Sequence, residues 1–159
     1  MLKNKRITVT GGKGFLGHHL INRLADYGQR IVVSTHPRIK QQVLAEQHIV
    51  SSLVEFHKPF GLFSYIKLQE NSRCVLSDSG TLFEESGLLH FPAISLRESN
   101  ERPESDEKAN VIMTGFSIPK VLTAIEYLDS AAPTYTPDSY LIPNVSDVVV
   151  RTILSHTKF

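Results

Sequence analysis

The sequence predicts an α/β fold: a Rossmann-like, doubly wound parallel sheet of about six strands in the order 3-2-1-4-5-6, helices on both faces, three layers in all. Three observations carry this. Short, β-branched apolar runs alternate with helical patterns along the chain. A glycine-rich turn joins the first run to the first helix. The runs lack the strict apolar/polar alternation of a half-exposed sheet, which suits parallel strands covered on both faces.

The elements follow in order. The first strand is expected over Arg6–Thr10 and the first helix over Gly14–Tyr27. In that helix Phe15, Leu16, His19, Leu20, Arg23 and Leu24 recur at helical spacing, and Gly28 follows as its C-cap. A strand over Arg30–Ser34 precedes Pro37, which suits the first position of a helix over Pro37–Glu46. Next come a strand over Leu53–His57, a helix over Leu62–Glu70, a strand over Cys74–Ser77, a helix over Thr81–Leu88 and a strand over Ala93–Leu96. Ser99–Lys108 is polar without apolar rhythm and reads as a loop. A strand over Val111–Met113 and a helix over Pro119–Leu128 follow. Asp129–Pro143 holds Pro133, Pro137 and Pro143 and reads as a second long loop, after which Asn144 and Ser146 fit the start of a helix over Val145–His156. No internal repeat or low-complexity tract interrupts the series.

Length and composition bound the function. A chain of 159 residues suits one domain, 1–159, with a real core: about two-thirds of the unfolded surface is buried at this size. A net charge of +1 with no basic stripe argues against a nonspecific nucleic-acid binder. The single cysteine, Cys74, excludes an intrachain disulfide, and its apolar neighbours Val75 and Leu76 predict a buried structural thiol. Nothing resembles a signal peptide, and no apolar run approaches the roughly 20 residues that span a bilayer. The expectation is a cytoplasmic protein with neither membrane nor nucleic-acid partner. His18, His19, His57, His90 and His156 show no metal-ligand spacing, so no metal site is expected.

Gly11, Gly14 and Gly17 form a G-x-x-G-x-x-G turn between strand and helix. Small residues there let a pyrophosphate approach the backbone, and the helix N-terminus adds partial positive charge. A glycine-rich turn with no ligand remains the alternative, and whether Lys13 helps or blocks a phosphate stays open. The stretch from Lys5 to Val33, with Thr10-Gly11-Gly12-Lys13-Gly14-Phe15-Leu16-Gly17, resembles the first β-α-β unit of the extended short-chain dehydrogenase/reductase family. That resemblance implies NAD(P) binding. The chain departs from the family pattern where its second strand ends in Ser34-Thr35-His36 instead of an acidic residue. The family's Tyr-x-x-x-Lys pair is also absent: Tyr65, for example, is followed four positions on by Gln69. A working dehydrogenase is therefore not expected.

A second succession starts at Ser34-Thr35-His36-Pro37-Arg38. It continues through Lys58-Pro59-Phe60-Gly61, Ser77-Asp78-Ser79-Gly80, Glu84-Glu85 and Glu101-Arg102-Pro103-Glu104. Ser79 and Gly80 fall at a strand-to-helix junction whose amides and hydroxyl can cradle a phosphate. Phe60 can stack on a base or pack in the core. Arg102 can pair with a phosphate or simply face solvent among acidic neighbours. Glu84 reads as a buried or capping carboxylate, and His36 and Arg38 as helix-start surface residues or phosphate contacts. In order, these motifs resemble the C-terminal domain of non-hydrolysing UDP-N-acetylglucosamine 2-epimerases, from about Ser34 to the end. The resemblance implies a diphosphate on Ser79, ribose hydroxyls on Glu85 and a uracil against Phe60. It also places the acid/base groups of the reaction in an N-terminal domain outside this sequence, so no catalytic residue is assigned here.

Together the two resemblances suggest a chimera joined near Ile31 to Thr35, dehydrogenase-like over 1–33 and epimerase-like over 34–159. Its candidate nucleotide-binding residues are Gly11, Gly14, Gly17, Phe60, Ser79, Gly80, Glu85 and Arg102. The expected ligand is UDP, a UDP-sugar or NAD(P), bound across one crevice without turnover. Two alternatives stand beside this: a fragment of a UDP-N-acetylglucosamine 2-epimerase, and a scaffold with no ligand. Self-association is expected through apolar surface that a second domain would otherwise cover.

Overall fold

A computed structural model describes residues 6–10, 15–34, 51–101, 110–132 and 134–157, with 15–18 as backbone. Its six strands form one sheet. They are β1 (Ile7–Thr10), β2 (Ile31–Ser34), β3 (Val54–His57), β4 (Cys74–Ser77), β5 (Ala93–Ser95) and β6 (Val111–Met113). The order is β3-β2-β1-β4-β5-β6, every neighbouring pair parallel, as the alternating pattern predicts. β1 pairs with β2 on one side and β4 on the other, with Thr10 opposite both Ser34 and Ser77. The strand order reverses at β1, so the carboxyl ends of β1 and β4 flank the switch point, where such sheets take ligands.

The helices are α1 (Phe15–Asp26), α2 (Leu62–Glu70), α3 (Leu82–Leu89), α4 (Ile118–Leu128) and α5 (Val145–His156). Strand alternation sorts the core between the two sheet faces. One cluster joins Ile7, Val9, Ile31, Val33, Cys74 and Leu76 to Leu20, Ile21 and Leu24 of α1 and to Val121, Ala124 and Ile125 of α4. Val75 and Ala93 turn the other way and meet Leu82 of α3 and Phe91. The two clusters account for the three expected layers. α1 ends as predicted: Gly28 has φ +73, its N–H donates to Ala25 O at 2.8 Å, and Gln29 N–H donates to Leu24 O at 3.1 Å. This paired closure needs a left-handed residue, which glycine adopts without Cβ strain.

Seven of the eleven described strands and α-helices shift by one residue at one or both ends. Arg6, Arg30, Leu53 and Leu96, predicted as strand residues, lie just outside the observed strands, yet their backbones extend the ladder. Arg6 O accepts from Arg73 N, Arg30 O from Ile7 N and Leu53 O from Ile31 N, each at 2.8 Å, and Leu96 N donates to Ser77 O at 2.9 Å. The predicted helix over Pro37–Glu46, together with His36 and Arg38, lies outside the described residues. The long loop over Asp129–Pro143 contains a 3-10 turn at Asp138–Leu141. Its earlier part folds back on α3: the Thr136 hydroxyl donates to Gly87 O at 2.8 Å, and Tyr135 N donates to Asn110 Oδ1 at 2.9 Å. A Cβ on Gly87 would lie 3.0 Å from Pro137 Cδ, so a larger residue there would push this segment away by a few tenths of an ångström.

Cys74 is fully buried and burial pushes its thiol up to about 12, the inert structural thiol expected. At the opposite edge from the switch point, Arg73 forks onto Asp129, Nε to Oδ1 at 2.9 Å and Nη2 to Oδ2 at 2.6 Å, and also donates to Gln29 Oε1. Among the described residues no helix is long and apolar enough to cross a membrane.

Candidate functional site

β4 ends at Ser77 and α3 begins at Leu82, and the turn between them carries the best-formed polar site of the fold. The Thr10 hydroxyl, at the carboxyl end of β1, donates to Ser77 Oγ at 2.8 Å. Ser77 Oγ in turn accepts the Ser79 N–H at 3.1 Å, and Arg97 Nε secures the turn by donating to Asp78 O at 2.7 Å. The Thr81 hydroxyl donates to Glu85 Oε1 at 2.7 Å. Its one proton is thereby used, so the 3.0 Å contact between Ser79 Oγ and Thr81 Oγ1 has Ser79 as donor.

α2 closes the site from outside. Gln69 Nε2 donates to Glu85 Oε2 at 2.6 Å. The Tyr65 phenol lies beside the side chains of Thr10, Gln69 and Glu85. Burial pushes the Tyr65 phenol above its ordinary value and the Glu85 carboxylate adds to the rise, against the lowering effect of Thr10 and Gln69. β1, α2, the β4–α3 turn and α3 thus share one polar network at the switch point. Glu84 and Glu85 both lie in the first turn of α3, where the helix dipole favours negative charge.

The predicted residues divide into three groups. Ser79 and Glu85 are joined through Thr81, with Gly80 in the same turn. One expectation changes in detail: the Ser79 N–H and hydroxyl both already have acceptors within the turn, so a phosphate would have to take them over. Phe60 follows β3 on the same sheet edge, three strand spacings from β4, about 14 Å. It is half-buried, with its ring centroid 5.3 Å from that of His57 and tilted by 34°. Gly17 lies in the first turns of α1, while Gly11, Gly14 and Arg102 lie outside the described residues.

Thr10, Tyr65, Gln69, Ser77 and Thr81 were not among the sequence candidates. Thr81 carried a readable signal, four residues before Glu85 and so on one helical face. Gln69 carried no such signal: it is the one buried residue of α2, whose apolar Leu62 and Phe63 are exposed. Among the described residues no group of three or more His, Cys, Asp and Glu is placed to hold a metal ion. A separate groove of about 550 Å³ lies between β6 and α4, lined by Ile112, Met113, Pro119, Lys120, Thr123 and Tyr127. It shares no residue with the network and lacks its converging polar groups.

Comparison with known proteins extends the picture. A family model described as UDP-N-acetylglucosamine 2-epimerase matches residues 17–154. The chain is 33% identical over 107 residues to the UDP-N-acetylglucosamine 2-epimerase of Methanocaldococcus jannaschii, covering 64% of this chain and 29% of that protein. It is 27% identical over 135 residues to the Neisseria meningitidis enzyme, covering 79% of this chain and 35% of that protein. Among solved structures, the Rickettsia bellii UDP-N-acetylglucosamine 2-epimerase superimposes with a TM-score of 0.75 at 30% identity, over 96% of this chain and 44% of that one. The N. meningitidis enzyme bound to UDP-GlcNAc gives 0.68 at 26% identity, over 98% and 45%. The chain thus spans about a third of the length of the curated relatives. The expected junction near Ile31 to Thr35 falls inside the family match, which runs across it from residue 17.

Proposed function

This chain belongs to the UDP-N-acetylglucosamine 2-epimerase family, and on that premise we propose that it holds the uridine diphosphate part of a UDP-sugar at the β1–β4 switch point. The observation that carries the reading is the network joining Thr10, Ser77, Ser79, Thr81, Glu85 and Gln69. It combines hydroxyl and amide donors at a helix start with a fixed carboxylate one turn further on. That is the chemistry needed for a phosphate followed by a vicinal diol. A solved relative at 26% identity was captured with UDP-GlcNAc, which supports a ligand of the same class here.

In this reading the phosphate takes over the Ser79 hydroxyl with help from the Gly80 backbone. Glu85 accepts the ribose hydroxyls and Phe60 offers its ring to the uracil. Backbone amides of Gly11, Gly14 and Gly17 and the Arg102 cation are assigned to the diphosphate in this proposal. The uninterrupted family match favours a portion of one epimerase-type protein over a junction of two parents. The groups that move the sugar proton then belong to the part of the relatives outside the match.

Calorimetry with UDP, UDP-N-acetylglucosamine, NAD and NADP tests the reading. Heat is expected with UDP and UDP-N-acetylglucosamine. No heat with either at millimolar concentration rejects it, and heat with the dinucleotides alone would favour the dehydrogenase-like alternative.

A further inference from the structure

We propose that Gln69 is a positioning residue that acts through Glu85 to make the site selective for a ribose over a 2′-deoxyribose; this rests on the nucleotide reading above. Glu85 is held at both oxygens by different elements. Thr81, just before α3, donates to Oε1 at 2.7 Å, and Gln69, from α2, donates to Oε2 at 2.6 Å. An ionised carboxylate offers about four acceptor positions over its two oxygens. With one position on each oxygen occupied, one on each remains. Two hydroxyls on adjacent carbons are matched to that pair, each donating to a different oxygen.

The orientation of Gln69 is set by the same chemistry. A carboxylate only accepts, so the amide must present its N–H side to Glu85. The cost appears at the other end. Gln69 is 1% exposed, and its Oε1 has no hydrogen-bond partner among the described residues. A buried acceptor left unpaired is destabilising, and a core position of α2 would be satisfied by an apolar residue. The placement makes physical sense as a fixed donor that stops the Glu85 carboxylate from rotating. Thr81 is the second, exposed holder of the same carboxylate.

The test compares UDP with 2′-deoxy-UDP by calorimetry on the full 159-residue chain. The wild type is expected to prefer UDP by about tenfold. Gln69→Met keeps the side-chain volume and removes the donor, and is expected to shrink that preference about fivefold, with UDP weakened and 2′-deoxy-UDP nearly unchanged. A purely structural role would weaken both ligands alike, and equal weakening overturns the proposal. Thr81→Val, at an exposed position, is expected to shift the preference the same way and decides the matter if Gln69→Met does not fold. Wild-type binding of UDP without preference over 2′-deoxy-UDP overturns this proposal alone. Absence of any UDP binding overturns the nucleotide reading and this proposal with it.

Discussion

Gln69 donates to Glu85 at 2.6 Å across sixteen residues of chain, joining α2 to α3 beside the switch point. Thr81 holds the other oxygen of the same carboxylate. Glu85→Gln keeps the shape and most hydrogen bonds, since the new amide can turn its oxygen to Gln69 and its NH₂ to Thr81. What is lost is a charged acceptor for the diol. UDP affinity is expected to fall about tenfold, roughly 1.4 kcal/mol, with little change in unfolding midpoint. Calorimetry and a urea titration on the same sample read both quantities.

Arg73 and Asp129 form a forked ion pair whose side chains are only 8% and 12% exposed. Removing one partner strands a buried charge. Asp129→Ala is expected to cost about 3 kcal/mol in chemical denaturation. The double variant Arg73→Met, Asp129→Leu is expected to recover most of that loss, because it leaves no charge behind. A double variant as unstable as the single one would show that the pair matters for more than charge compensation.

Gly28 isolates a backbone effect. A Cβ there would meet nothing within 4 Å, so only its φ of +73 resists substitution. Gly28→Ala is expected to destabilise by about 1 kcal/mol, and Gly28→Asn by less, since asparagine tolerates the left-handed region better. The difference between the two denaturation midpoints is the measurement.

Cys74 titrates at about 12 in the folded chain against an ordinary value of 9.0. The folded protein therefore keeps the thiol proton where the unfolded chain releases it. The contribution to stability is fully present below pH 9.0 and declines as pH rises toward 12. The raised Tyr65 phenol acts in the same direction from its ordinary value of 10.0 upward. Unfolding free energy measured from pH 8 to 11 is expected to fall, and Cys74→Ala is expected to flatten the curve. The native thiol should also stay inert to disulfide reagents at neutral pH and react once the chain unfolds.

α5 buries none of its residues among the described ones, although Val145, Val148, Val149 and Ile153 lie on one helical face. A 12-residue helix rich in β-branched side chains is marginal without packing. Amide exchange is expected to be fast over Val145–His156 and slow in β1 and β4, whose residues form the centre of the sheet. Slow exchange in α5 that becomes fast on dilution would show that a second copy covers it.

The sheet order was legible because each short apolar run is separated from the next by a helix-length segment. Parallel strands with such crossovers admit few arrangements, and Cys74–Ser77 was placed to the residue. The places of Ser79 and Gly80 just past β4, and of Glu85 in the first turn of α3, were legible too, since nearby chain sets them. The uncovered state of α5 was not, because an apolar stripe at helical spacing looks the same whether or not a partner lies against it.

Gln69 shows where local pattern stops. The pattern of α2 does not mark it as the buried residue, since the apolar Leu62 and Phe63 of that helix are exposed, and its partner on α3 depends on how the two helices pack. That arrangement comes from burial summed over the whole core, including Leu82 and Phe91 under α3. Likewise, the bond from Thr10 to Ser77 needs two strands brought side by side from opposite ends of the first half of the chain. Periodicity acts over a few residues and is written in the sequence directly. The meeting of Thr10, Ser77, Glu85 and Gln69 is a property of packing, and only the folded sheet brings it about.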